Sequence, residues 1–176
     1  RRDCFGELIQ IDGSHHDWFE GRRDKCCLLV FIDDATSTLI YCRFEEAETT
    51  QGYFRSVKDS INTYGKPLAY YSDKFGVFRV NQECADPNDT QFQRAMKELD
   101  IELICANSPQ AKGKVERANQ TLQDRLVKEL RLRGISTIEE ANKFLPKFIE
   151  KYKKRFAKPP KSEQDAHREL TITDEQ

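Results

Sequence analysis

With 176 residues, 38% of them hydrophobic and 34% charged, the chain is long enough for one domain with a true core plus a helical appendage. Its 29 basic and 30 acidic side chains nearly cancel, so overall charge alone does not hold it to nucleic acid. No secretory leader and no apolar run of membrane-spanning length occurs, and a soluble intracellular protein is expected.

Residues 7–12 alternate as a strand that Gly13-Ser14 should end, leaving Asp12 at its exit. A polar loop follows from His15 to Arg23. Residues 26–32 are continuously apolar, as in a strand covered on both faces, and Asp33-Asp34-Ala35-Thr36-Ser37 turns the chain into a third strand over 38–44. Thr49 or Thr50 can cap a helix over 50–64 that Gly65 and Pro67 stop. A short strand over 68–72 ends at Ser72-Asp73. Residues 80–90 are turn-forming, and a helix near 90–99 and a strand over 101–105 follow. From Ser108-Pro109 the chain enters its longest helix, with Val115, Ala118, Leu122, Leu126 and Leu130 on one face and Glu116 beside that stripe in the first turns. Gly134 breaks the pattern, Ser136-Thr137-Ile138-Glu139 reads as a capping box, and Pro146 should kink or split the last helix. The charged stretch from Pro159-Pro160 reads as a linker. Because the first residues are Arg1-Arg2-Asp3, the chain is expected to be a piece of a longer protein.

Three consecutive strands followed by strand–helix alternation predict an α/β fold, a mixed sheet flanked by helices. The expected organisation is a core over 1–134, a helical extension over 135–158 and a linker over 159–176. Charge is distributed unevenly: residues 109–133 carry seven Lys/Arg against three acids, and residues 143–161 carry eight against one. That asymmetry suits a polyanionic partner. The six cysteines contain no C-x-x-C and read as reduced structural thiols.

Asp12 and Asp73 stand 61 residues apart at strand ends, and Glu116 follows 43 residues later near a helix start. Adjacent strands and a helix crossing the sheet can bring them together. Clustered carboxylates repel unless a cation joins them, and hard oxygen donors favour Mg²⁺ or Mn²⁺ over zinc. Two such ions can activate an attacking oxygen and stabilise the leaving one in phosphodiester displacement.

Ile11-Asp12-Gly13-Ser14-His15, Tyr71-Ser72-Asp73 and Ser108-Pro109-Gln110-x-x-Gly113-x-x-Glu116 resemble the three motifs of the integrase catalytic core, shared by retroviral integrases and bacterial DDE-type insertion-sequence transposases. The likeness runs over about residues 7–156, and Ile32-Asp33-Asp34-Ala35-Thr36-Ser37 fits the bacterial members. It implies an RNase H-like fold with a five-stranded mixed sheet, and two Mg²⁺ or Mn²⁺ ions held by Asp12, Asp73 and Glu116 when DNA is bound. The implied reaction nicks an element end to free a 3′-hydroxyl, which then attacks target DNA. Implied partners are element ends, target DNA and a second copy or more of the chain, with no membrane, in the bacterial cytoplasm at the nucleoid. Retroviral members have a shorter gap before the Glu, and the excess here is assigned to the 80–90 loop.

Lys112, Lys114, Arg117, Asn119 and Gln120 flank Glu116 and are expected to contact DNA phosphate and sugar, the alternative being ordinary solvation. His15 is an accessory candidate at the phosphate or a loop-packing residue; a zinc site at His15-His16-Asp17 lacks a fourth ligand. Asp33 and Asp34 fit a turn that bonds its own backbone better than a second acidic site. Trp18 and Phe19 either stack a base or fold back on the sheet. Two other functions fit the same residues: a nuclease that only hydrolyses, distinguished by free rather than joined ends, and a degenerate core kept as a DNA- or protein-binding module.

Overall fold

The computed structural model describes residues 3–72, 87–105, 113–160 and 162–168. Five strands form one mixed sheet in the order β3-β2-β1-β4-β5: β1 (Leu8–His16), β2 (Cys26–Asp33), β3 (Leu39–Glu45), β4 (Ala69–Ser72) and β5 (Glu102–Cys105). The first three are antiparallel neighbours, whereas β4 and β5 run parallel to β1. Among the described residues four helices connect and cover them: α1 (Thr50–Tyr64), α2 (Pro87–Glu98), α3 (Gly113–Leu132) and α4 (Ile138–Phe156).

The alternation of β2 explains the layering. All eight of its residues are buried. Cys26, Leu28, Val30 and Ile32 point into a core with Val115, Ala118, Leu122 and Leu126 of α3 and Phe144, Leu145 and Phe148 of α4. Cys27, Leu29 and Phe31 point the opposite way, into a core with Tyr53, Val57 and Ile61 of α1 and Phe92 and Met96 of α2. A strand covered on both faces needs an unbroken apolar run, and that is what residues 26–32 supply.

Local signals place most boundaries. Thr49 caps α1 through a 3.0 Å bond from the Gly52 N–H to its hydroxyl. Gly65 closes the helix at φ +92°, a region that costs glycine little, while its N–H bonds Ile61 O. The cap of α4 is Thr137, paired with Glu140, one residue beyond the box expected at Ser136 and Glu139. Pro146 does not split α4, which continues to Phe156 because Phe144, Leu145, Phe148, Ile149 and Tyr152 hold both halves in one core.

Two expectations about chain ends need revision. Gly13-Ser14 do not end β1, which continues to His16 because Gly13 to His16 pair with Leu29 to Cys26 of β2. The stretch from Pro159 was expected to be a linker, yet residues 162–168 return to the domain. Arg168 exchanges backbone bonds with Lys66, and the Ala166 N–H donates to Phe5 O at 2.7 Å. The His167 ring lies edge-on to Phe5 at 4.8 Å and stacks on Tyr64 at 5.9 Å. Cys4, Cys26, Cys27 and Cys42 form no disulfide among the described residues. No helix among the described residues is long and apolar enough to cross a membrane.

Candidate active site

Alternation along β1 sorts its residues between two faces. Ile9 and Ile11 enter the core under α1 and α2, which turns Gln10, Asp12 and Ser14 toward the face that α3 covers. There the Asn119 amide donates to Asp12 Oδ2 at 3.2 Å, and the Gln123 amide donates to the Ser14 hydroxyl at 3.2 Å. Four residues of helix rise about 6 Å and two residues of strand about 6.6 Å, so the two bonds share one register. The other Asp12 oxygen, Oδ1, accepts the Gly13 N–H at 2.9 Å. Both carboxylate oxygens are thereby oriented, and the residue stays half-buried within reach of solvent.

Glu116 lies in the first turn of α3, exposed, three residues before Asn119 and therefore on the same face. The buried Val115 and Ala118 anchor that turn to the core and fix where Glu116 emerges. A carboxylate there is also favoured by the positive end of the helix dipole. Asp73 lies outside the described residues; Ser72, directly before it, is buried at the end of β4.

Of the residues expected to meet DNA, Asn119 is turned inward to Asp12, while Arg117 and Gln120 are exposed on α3. Lys114 falls in the first turn of α3, and Lys112 lies outside the described residues. His15 is exposed near the end of β1, one residue before His16, whose ring meets Trp18 edge-on at 5.1 Å. Trp18 and Phe19 are fully buried, and the indole N–H donates to Ser14 O at 3.0 Å, so they belong to the core and stack no base. Of the 80–90 loop, residues 87–90 begin α2 and the rest lie outside the described residues.

Asp33 and Asp34 form no second acidic site. Asp33 is fully buried and accepts the Gly6 N–H at 2.9 Å, the Thr36 N–H at 2.8 Å and the Thr36 hydroxyl at 2.7 Å. Burial pushes its carboxyl above the usual range, against the pull of those donors. Asp34 Oδ1 accepts the Gln10 amide at 3.1 Å.

Sequence reasoning missed that Asn119 and Gln123 tether α3 to β1. The only available signal was two amides four residues apart beside an apolar stripe, which solvated helices also show. Among the described residues no three His, Cys, Asp or Glu side chains form a metal cluster. The donor set at Asp12 still suits a hard cation. It is oxygen-rich, and Asn119 Oδ1 is a buried oxygen with no hydrogen-bond partner among the described residues.

The y4bF protein of Sinorhizobium fredii, named as a transposase, is 52% identical over 174 residues. The transposase of insertion sequence IS1202 from Streptococcus pneumoniae is 38% identical over 165 residues. The match takes in 98% and 92% of this chain but only 38% and 35% of those relatives, so the chain spans little more than a third of their length. No family model matches. Among solved structures, the HTLV-2 integrase catalytic core domain in complex with magnesium superposes with a TM-score of 0.60 at 21% identity, over 81% of this chain and 85% of that one. The catalytic core domain of BIV integrase gives 0.51 at 22% identity, over 78% and 79%.

Over nearly its whole length the chain is similar to part of two transposases, and it has the fold of an integrase catalytic core. The fold of this core is the RNase H-like α/β arrangement, with Asp12 on its central strand and Glu116 on the helix crossing it.

Proposed function

We propose that this core catalyses metal-dependent nicking and strand transfer at the ends of a transposable DNA element, with Asp12, Asp73 and Glu116 as its acidic centre. The observation that carries the proposal is the meeting of β1 and α3 at Asp12, which brings Glu116 within one helical turn of the residue that orients the Asp12 carboxylate. The strand register adds support for Asp73. Leu8, Ile9 and Gln10 pair with Ala69, Tyr70 and Tyr71 at a constant offset of 61, which is also the separation of Asp12 and Asp73.

Asp12, Asp73 and Glu116 are the residues that would hold divalent cations, Mg²⁺ or Mn²⁺. Bound there, such ions supply Lewis-acid activation of the attacking oxygen and neutralise charge on the leaving one. The protein's own part is orientation. Asn119 and the Gly13 N–H hold both oxygens of Asp12, so little reorganisation is needed when the scissile phosphate arrives. Glu116, exposed on the first turn of α3, would help to position the attacking water or 3′-hydroxyl. Arg117 and Gln120, exposed on α3, contact the duplex backbone, a role that the sequence also offers Lys112 and Lys114, with His15 as an accessory. Handling two element ends calls for two copies of the core or more, acting on chromosomal DNA in the bacterial cytoplasm.

The test uses the full-length protein, an element-end duplex and Mg²⁺ or Mn²⁺. Wild type yields a nicked end and then joined strands, whereas Asp12→Asn and Glu116→Gln fold and yield neither. Free ends without joined product reduce the activity to hydrolysis, and undiminished nicking by Glu116→Gln removes that residue from the centre.

A further inference from the structure

Another acidic side chain, Glu48, lies against Gly13, next to Asp12, on the other face of the sheet. Glu48 ends the connection between β3 and α1, directly before the capping residue Thr49. Its Oε2 accepts the Tyr53 hydroxyl at 2.6 Å. The carboxylate sits where residue 13 would carry a side chain: a Cβ built on Gly13 would overlap Glu48 Oε2 and stand 2.7 Å from its Cδ and 3.1 Å from Cys27 Sγ. Gly13 is the residue whose N–H holds Asp12 Oδ1. Tyr53 is buried, and its phenol is pushed well above the usual range by that burial, then by the charge of Glu48 and its hydrogen bond, then by the charge of Asp12. Tyr53 thus senses both carboxylates, one through a bond and one through space.

Resting on the metal-dependent reading above, we propose that Glu48, held by Tyr53, is a positioning residue that packs against Gly13 and keeps the Asp12–Gly13 peptide, and with it the Asp12 carboxylate, turned toward α3. A side chain at 13 would make the Glu48 carboxylate shift from its place beside the Asp12–Gly13 peptide and disturb its bond to Tyr53. Glu48 and Tyr53 act from the α1 face, whereas Asn119 acts from the α3 face, so Asp12 is braced from both sides of the sheet. Packing and the Tyr53 bond do this work, and neither needs the Glu48 charge. Glutamine keeps the size and the acceptor oxygen, while alanine keeps neither.

Two measurements on this 176-residue chain test the proposal. The first is hydrogen exchange at the Gly13 amide, which needs no metal. Glu48→Ala and Tyr53→Phe should speed it, with alanine giving about tenfold faster exchange and glutamine staying near wild type. The second is the Mn²⁺ concentration that half-saturates thermal stabilisation. It should rise about tenfold in Glu48→Ala, the range for residues that orient metal ligands, and little in Glu48→Gln. Unchanged Gly13 exchange in Glu48→Ala overturns the proposal. Glutamine as damaging as alanine overturns it too, since the charge itself would then be what matters. If wild type shows no Mn²⁺ stabilisation that Asp12→Asn removes, while Gly13 exchange still depends on Glu48, the metal-dependent reading fails and the positioning role stands.

Discussion

Replacing Asn119 by alanine should separate stability from catalysis. The substitution removes one hydrogen bond to a carboxylate, at 3.2 Å, and bonds to charged groups contribute about 1.5–3 kcal/mol. It also removes Asn119 Oδ1, a buried oxygen with no partner among the described residues, whose desolvation costs about 1–3 kcal/mol. Alanine in mid-helix recovers a further half kcal/mol or so, roughly the difference in helix propensity. These contributions offset one another, and the unfolding free energy should stay within about 1 kcal/mol of wild type, a shift of about 2–4 °C in melting temperature. Asp12 nevertheless loses its tether on the α3 side. Allowing its carboxylate to rotate should slow element-end nicking at least about tenfold, equivalent to about 1.4 kcal/mol in the transition state. Urea unfolding of the chain and single-turnover nicking by the full-length protein provide the two readings. A stability loss above about 3 kcal/mol would make Asn119 a structural residue, and a nicking rate within twofold of wild type would show that Asp12 needs no such tether.

Asp33→Asn should destabilise the fold by about 1–3 kcal/mol, because with its oxygen kept on the two Thr36 donors its new NH₂ would face the Gly6 N–H and leave a buried donor unpaired; a denaturation midpoint equal to wild type would contradict this. Tyr152 has its phenol pushed up to about 12, first by burial and then by the charge of Cys42. The unfolded chain therefore ionises first, near the ordinary tyrosine value, and the stability Tyr152 contributes is present below about pH 10 and lost between there and pH 12, roughly 2–3 kcal/mol. Tyr152→Phe should flatten the alkaline unfolding curve over that window, and an unchanged slope would refute the assignment. Ending the chain at Pro160 removes the return of residues 162–168, including the bond from the Lys66 N–H to Arg168 O at 2.7 Å. The cost should be about 1–4 kcal/mol with faster exchange of the Lys66 amide, and a truncated chain as stable as the longer one would show the return to be incidental.

Much of this molecule was legible in the sequence because the relevant signals are local or periodic. The unbroken apolar run of β2, the stripe from Val115 to Leu130 and the Thr49 cap each carry their structural meaning within a few residues. Three motifs in order single out Asp12, Asp73 and Glu116 as the acids to test. What remained hidden depends on partners distant in sequence. Gly13-Ser14 read as a stop, yet pairing with β2 carried the strand to His16. Pro146 read as a break, yet apolar contacts on both sides of it outweighed one missing helical hydrogen bond. The charged tail read as a linker, and the backbones of Phe5, Lys66, Pro67 and Asp100 and the rings of Phe5 and Tyr64, all distant in sequence, give it a place to return.

By itself, then, the order of residues determined the α/β class, the helical stripes and which acids were worth watching, since period and local chemistry need no knowledge of neighbours. Tertiary structure alone decided that Asn119 turns in to Asp12 and that Glu48 fills the space beside Gly13. Such contacts join residues up to 107 positions apart, and their geometry exists only once sheet and helices have packed.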